Sequence, residues 1–478
     1  MKDYAAHDAL GLAALVRRKE VSPLELVEAA IARIEAHNPA LNAVIYKAYD
    51  QARAQASDPA SLPDGPFRGL PFLIKDILGA PIKDMPCTHG SAYFRDWVPD
   101  YDAEIVKRWK AAGLIVVGKT NVPEFAITGT TESAYLGRCG NPWNPDYSSG
   151  GSSGGAAAAV ASGMVPIAHA SDGLGSIRIP AAQCGLVGMK PTRDRNPHGP
   201  HDTERAVGFM QDHIVARTVR DCAAMLDVTG YPEPDAAYAW PAKEGRYLDC
   251  VGEDPGRLRI AFSDQRPNGK GADPEVKAVM EKTAKVLEGL GHHVEEALPQ
   301  TDWTTIYQAQ GAVSTANLAA GIAELTLRFG RPPEEHELEP LTWSGVKTGR
   351  KLTGDIVMWG WRTLRVLTRE IMRFYETYDV FLCPTCVTPP PRLGYVDPVN
   401  LEPREVSKRQ ASVFGYTPPQ NFTGQPSMSL PLGMSSGGLP IGMQLSARYA
   451  DEATLYRLAG QLEQAMPWKD RTPPIWDL

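Results

Sequence analysis

Apolar positions recur every three to four residues near the start of the chain and crowd into short unbroken runs further on. Leu24, Val27, Ile31 and Ile34 fall on one helical face, and Ser22-Pro23-Leu24-Glu25 supplies a capping serine, a proline at the first helical position and a glutamate that closes a capping box. The first sixty residues therefore read as mostly helical. From about 65 to 192 the pattern changes to apolar runs at 70–74, 114–117 and 165–168, separated by glycine-rich turns and helical stretches, which predicts buried strands of an α/β sheet. A connection rich in Pro and Tyr follows near 231–247. Beyond it, 258–262 predicts a strand, 273–290 a helix and 294 onward another strand, so the α/β alternation resumes. Residues 301–377 read as largely helical and carry Trp303, Trp343, Trp359 and Trp361. Strands at 428–430 and 441–445 and a last helix over 452–465 complete the pattern, and no internal repeat is evident.

Composition narrows the class. A chain of 478 residues is long enough for one large α/β body or two domains, and 43% hydrophobic with 22% charged residues is the balance of a soluble globular protein. The 49 basic and 56 acidic residues give a net charge of −7 without a long basic run, so nucleic acid and acidic membrane surfaces have no electrostatic support as partners. The longest apolar candidate, 156–168, contains Ser162 and Gly163 and falls short of the roughly 18–20 residues that span a bilayer. The first residues lack the charged-then-apolar order of a signal peptide, and seven cysteines scattered from Cys87 to Cys386 make no disulfide framework. A cytoplasmic location is expected.

Several local motifs invite chemistry and are outweighed by their surroundings. Gly113 to Thr120 has the spacing of a phosphate-binding loop, but Leu114, Ile115, Val116 and Val117 make it a buried strand instead of a cradle of free amides. Cys383-Pro-Thr-Cys386 has no second pair and no nearby His, and reads as a strand end running into Pro389. The ten His are dispersed apart from His292-His293, so no metal is expected. Asn421-Phe422-Thr423 matches a glycosylation sequon by chance in a chain with no export signal. Gly151-Ser152-Ser153-Gly154-Gly155 matches a nucleophile elbow centred on Ser153, yet no His or carboxylate downstream is marked as its partner. Without one, it is a turn opening a helix over 155–161, whose exposed amides favour negative charge.

That turn does not stand alone. Gly150 to Gly155 is followed by Ser171-Asp172-Gly173-Leu174-Gly175-Ser176-Ile177-Arg178-Ile179-Pro180-Ala181 and by Cys184-Gly185-Leu186-Val187-Gly188-Met189-Lys190-Pro191-Thr192. Gly69 to Asp76 and Gly118-Lys119-Thr120-Asn121 precede it. Asn141 to Pro145, Ala216 to Asp221, Asn421 to Pro426 and Gly438 to Gln444 complete an ordered series. Over about residues 20–465 the chain closely resembles the amidase signature family. The resemblance implies one domain over 1–478, an amidase signature fold in which a large mixed sheet is covered by helices on both faces. Within it lie an N-terminal helical region (1–60), a catalytic core (65–230) and a helical, Trp-rich substrate-pocket region (301–377).

The resemblance also implies roles. Ser176 is carried over as the nucleophile, Ser152 as the bridging serine following a cis peptide, and Lys75 as the base, with Ser152 standing 24 residues before Ser176 as the family's spacing requires. A lysine acts as a base only when neutral, so burial must pull its pKa well below the usual value of about 10.4. The amides of Gly173, Leu174, Gly175 and Ser176 are implied as the oxyanion hole, and Ser153, Asp172 and Arg178 as its bracing. The family's usual Thr and two glycines before the nucleophile are replaced here by Gly173-Leu174-Gly175, a change that bears on substrate range. Thr130, Trp303, Tyr307, Trp343 and Trp359 are expected to line a mostly apolar pocket. The implied enzyme is a cofactor-free serine hydrolase of a neutral, largely apolar or aromatic amide or carbamate, similar to nylon-oligomer hydrolases, aryl acylamidases and urethanases. The alternative is the amidase subunit of a glutamine-dependent tRNA amidotransferase, against which the Trp-rich segment argues. Expected partners are a small-molecule substrate and, at the protein level, a second copy of the chain in a homodimer.

Overall fold

Strands that are apolar at successive positions are stable only with both faces covered. In the computed structural model, which describes residues 3–477 apart from 239, 241, 242 and 267, such strands assemble into one eleven-stranded sheet. Its order from edge to edge is Val44–Lys47, Ile115–Thr120, Pro71–Lys75, Ile167–Asp172, Gln211–Ala216, Val187–Lys190, Ser427–Met434, Pro440–Ala447, Val380–Pro384, Arg259–Phe262 and His293–Glu296. The sheet is mixed. Pro71–Lys75 runs parallel to both neighbours, the central strands from Gln211–Ala216 to Val380–Pro384 pair antiparallel, and Arg259–Phe262 is again parallel to both of its neighbours. Pro71–Lys75 and Ile167–Asp172 are buried at every position, as is the packing helix Gly154–Ala161.

The expected elements form with shifts of one to four residues at their ends, and the last helix is Glu452–Ala465 as expected. Three strands of the large sheet are additional. Val44–Lys47 interrupts the helical opening because the helix Pro23–Leu41 ends at Asn42 in a left-handed conformation, after which β-prone Val44, Ile45 and Tyr46 add to the sheet edge. Gln211–Ala216 and Val187–Lys190 hold Gln211, Asp212, His213 and Lys190 in full burial, so a search for apolar runs passes over them. The region 301–377 is helical as expected, in Trp303–Phe329, Pro340–Gly349 and Gly354–Phe374. The first and third of these helices pack over Phe209 and Phe422 through Ile306, Val313, Leu364 and Ile371.

Because Pro71–Lys75 and Ile167–Asp172 are parallel neighbours, Lys75 and Ser171 leave the sheet at the same carboxyl edge. In an open α/β sheet that edge is where ligands are received.

Candidate active site

Two lysines on adjacent strands show what decides charge in this core. Lys119 and Lys75 are both fully buried. Lys119 Nζ lies 2.7 Å from Asp76 Oδ1 and donates to the Pro86 carbonyl, and although burial pulls its pKa down, Asp76 and Cys87 together outweigh it and raise the value. Lys75 has no carboxylate in contact among the described residues. Its Nζ is 2.7 Å from Ser152 Oγ, 2.8 Å from Ser153 Oγ and 2.9 Å from Ser171 Oγ, with the Ser171 carbonyl at 3.4 Å. Burial drives its pKa well below the usual lysine range, against the attraction of Asp172 and with help from the Arg205 charge.

The serines arrive from the glycine-rich turn. The Gly151–Ser152 peptide is cis, as the resemblance implies, and Ser152 and Ser153 sit immediately before the helix Gly154–Ala161. Ser153 Oγ donates to the Ser171 carbonyl at 3.3 Å and accepts from the Ser171 amide at 3.3 Å, so this hydroxyl braces the lysine site and is fully buried. Gly151 is required by close approach: a Cβ there would lie 2.5 Å from the Thr130 carbonyl oxygen. Thr130 thus packs beneath the turn, and its hydroxyl donates to Glu132 at 2.8 Å. It supports the turn from within the core.

Ser176 lies in the loop between Ile167–Asp172 and the helix Arg178–Cys184 and is partly exposed. Its hydroxyl makes no hydrogen bond among the described residues, so the structure joins Lys75, Ser152 and Ser153 directly and leaves Ser176 on the neighbouring loop. Asp172 and Arg178, both fully buried, form the expected ion pair with bonds of 2.9 and 3.0 Å. Burial alone would raise the Asp172 carboxyl, but Arg178 and Asn421 hold it down at about 2. The remaining Arg178 donors reach Gln420, Gln444 and Asn421, and Asn421 donates back to Asp172 and to the Phe209 carbonyl. Sequence reasoning gave these three amides no role, although Asn421 and Gln444 lie in motifs that carry the resemblance. Ser171 was likewise passed over.

One oxyanion donor is corrected. The Gly175 amide donates to Asp172 Oδ1 at 2.6 Å and is therefore committed, whereas the amides of Gly173, Leu174 and Ser176 have no acceptor among the described residues. The aromatic pocket is corrected too, because the tryptophans do not converge. Trp303 and Tyr307 pack with Phe209 and Phe422, Trp343 joins a separate cluster with Tyr93 and Phe94, and Trp359 is 45% exposed on an outer groove with Met358 and Val366. A 3.6-residue period places residues on helix faces but does not say which faces turn toward one cavity.

Comparison with known proteins identifies the family and the fold. The family model described as Amidase matches residues 25–456. A 6-aminohexanoate-cyclic-dimer hydrolase of Paenarthrobacter ureafaciens is 38% identical over 486 aligned positions, covering 98% of this chain and 96% of that relative. A solved 6-aminohexanoate cyclic dimer hydrolase complexed with substrate superposes with a TM-score of 0.93 at 36% identity, over 99% of each chain. A bacterial aryl acylamidase superposes with a TM-score of 0.87 at 26% identity over 98% of each. A glutamyl-tRNA(Gln) amidotransferase chain of Thermotoga maritima is more distant, at 0.73 and 25%, over 93% of this chain and 92% of that one.

Proposed function

Since the chain belongs to the amidase signature family, whose members hydrolyse non-peptide C–N bonds, we propose that it cleaves a neutral, largely apolar amide or carbamate through an acyl-Ser176 intermediate. The observation that carries this reading is Lys75, fully buried, without a carboxylate in contact among the described residues and 2.7 Å from Ser152. A neutral amine has two N–H donors and one lone pair. The Ser153 proton is committed to the Ser171 carbonyl, so Ser153 accepts one Lys75 N–H and Ser171 Oγ accepts the other. The lone pair then meets the Ser152 hydroxyl. Ser152 passes its proton to Lys75 and takes one from Ser176, whose oxygen adds to the acyl carbon. The amides of Gly173, Leu174 and Ser176 receive the developing oxyanion. The returning proton leaves with the amine, and water releases the acyl group by the same relay.

Apolar substrate preference is supported by Leu174, exposed beside Ser176, by Met210 next to Gly173 and by the Phe209–Phe422 pair. Purified enzyme is expected to cleave p-nitroanilides, aryl carbamates or 6-aminohexanoate oligomers with higher kcat/KM than glutamine. A panel in which glutamine outruns all of them would transfer the reading to the tRNA amidotransferase. The seven cysteines, all free and buried, support a cytoplasmic location. No described helix is long and apolar enough to cross a membrane.

The pH profile has a definite sign. Protonated Lys75 cannot accept a proton, so kcat/KM is expected to rise as pH climbs through its depressed pKa and to level off above it. The limb falls well below the range of a free lysine. Burial holds His89 at about 3 and His169 well below 6.5, and Asp172 stays ionised, so none of these neighbours titrates near neutrality. Lys190, also lowered by burial, is the competing assignment. The Lys190→Met variant is expected to keep the limb, and its disappearance there would assign the ionisation to Lys190.

A further inference from the structure

We propose that Thr417 is a positioning residue that sets the oxyanion-stabilising loop through the Leu174–Gly175 peptide. The inference rests on the acyl-serine reading above. Thr417 is fully buried and immediately precedes the helix Pro418–Thr423. A threonine in that position ordinarily caps an amide of the first turn. Here Pro418 and Pro419 occupy the first two helical positions and have no N–H to offer, and the Thr417 side chain makes no cap bond. Its hydroxyl instead donates to the Leu174 carbonyl at 2.7 Å, across 243 residues of sequence.

The opposite edge of the same peptide is also held, because the Gly175 N–H donates to Asp172 Oδ1 at 2.6 Å. The plane is pinned between Thr417 and Asp172. Gly175 has φ +128°, and a Cβ there would lie 2.1 Å from Thr417 Oγ1, so only glycine permits this approach. Fixing that plane fixes the torsions on either side of it, and these aim the Leu174 and Ser176 amides, neither of which has an acceptor among the described residues. The same constraint presents the Leu174 side chain to solvent. Thr417 acts through this loop and touches no reacting atom in the scheme.

The test compares Thr417→Val, which keeps the shape and removes the hydroxyl, with Thr417→Ser, which restores it, using the full-length enzyme and a p-nitroanilide. Losing one oxyanion donor costs about 10²- to 10³-fold in kcat, so misaiming donors that remain present is expected to lower kcat of Thr417→Val about 10- to 100-fold. KM should stay within about twofold, because the hydroxyl serves the transition state more than ground-state binding. Thr417→Ser should recover most of the lost kcat. Wild-type kcat in Thr417→Val, a loss confined to KM, or a Thr417→Ser variant as slow as Thr417→Val would each overturn the proposal. If Thr417→Val fails to fold, Thr417→Ala measured against Thr417→Ser gives the same comparison. Failure of the acyl-serine reading is distinguishable, since it appears as retained turnover in Ser176→Ala with Thr417 intact.

Discussion

Replacing Ser176 with Ala is expected to leave no measurable turnover of a p-nitroanilide, a loss of at least about 10⁴-fold on the precedent of serine-hydrolase relays. Lys75→Ala and Ser152→Ala should each cost several orders of magnitude, and the Lys75→Ala/Ser176→Ala pair should be no worse than Ser176→Ala alone, because relay members act as a unit. A fluorophosphonate probe should label the wild type at Ser176 and fail to label Ser176→Ala. The rival nucleophile is Ser153. Its full burial and its bonds to Lys75 and to both backbone groups of Ser171 leave it no approach to a substrate. Retained activity in Ser176→Ala together with loss in Ser153→Ala would reverse that assignment.

What could be read from the sequence divides along physical lines. Strands built from apolar runs, such as 70–74 and 165–168, were legible because burial on both faces leaves an unbroken hydrophobic signal. Gln211–Ala216 was not, since its buried Asp212 and His213 interrupt the apolar signal and are matched by polar partners outside the strand: Asp212 accepts from His169, and the His213 ring bonds the Cys222 carbonyl. The site shows the same division. Lys75, Ser152 and Ser176 were legible through ordered motifs, and the burial of Lys75 through the apolar residues before it. The hold of Thr417 on the Leu174 carbonyl and the convergence of Gln420, Asn421 and Gln444 on Arg178 were not, because they join segments more than 240 residues apart. The tryptophans of 301–377 misled for a related reason. Their concentration is a property of the chain, whereas a pocket depends on which helix faces meet.

Arg178→Lys is the second large effect expected, although it conserves charge. Arg178 donates five side-chain bonds, two to Asp172 and one each to Gln420, Gln444 and Asn421, all within full burial. Lysine has three donors and no planar fork, so at least two of those five bonds are lost. At about 1.5–3 kcal/mol for each hydrogen bond to a charged group, the loss of two such bonds should cost about 3–6 kcal/mol and lower the thermal midpoint. Catalysis should suffer as well. Asp172 also accepts from Gly175 and Ile177, on either side of Ser176, and a displacement of about 1 Å at the reacting atom costs roughly 10²-fold in rate. The surface exchange Arg53→Lys, at an exposed pair with Glu28, serves as the control and should leave both midpoint and kcat unchanged. A wild-type midpoint in Arg178→Lys would mean that the buried amides find donors elsewhere, and that the nucleophile loop is held by Thr417 and Asp172 without the guanidinium.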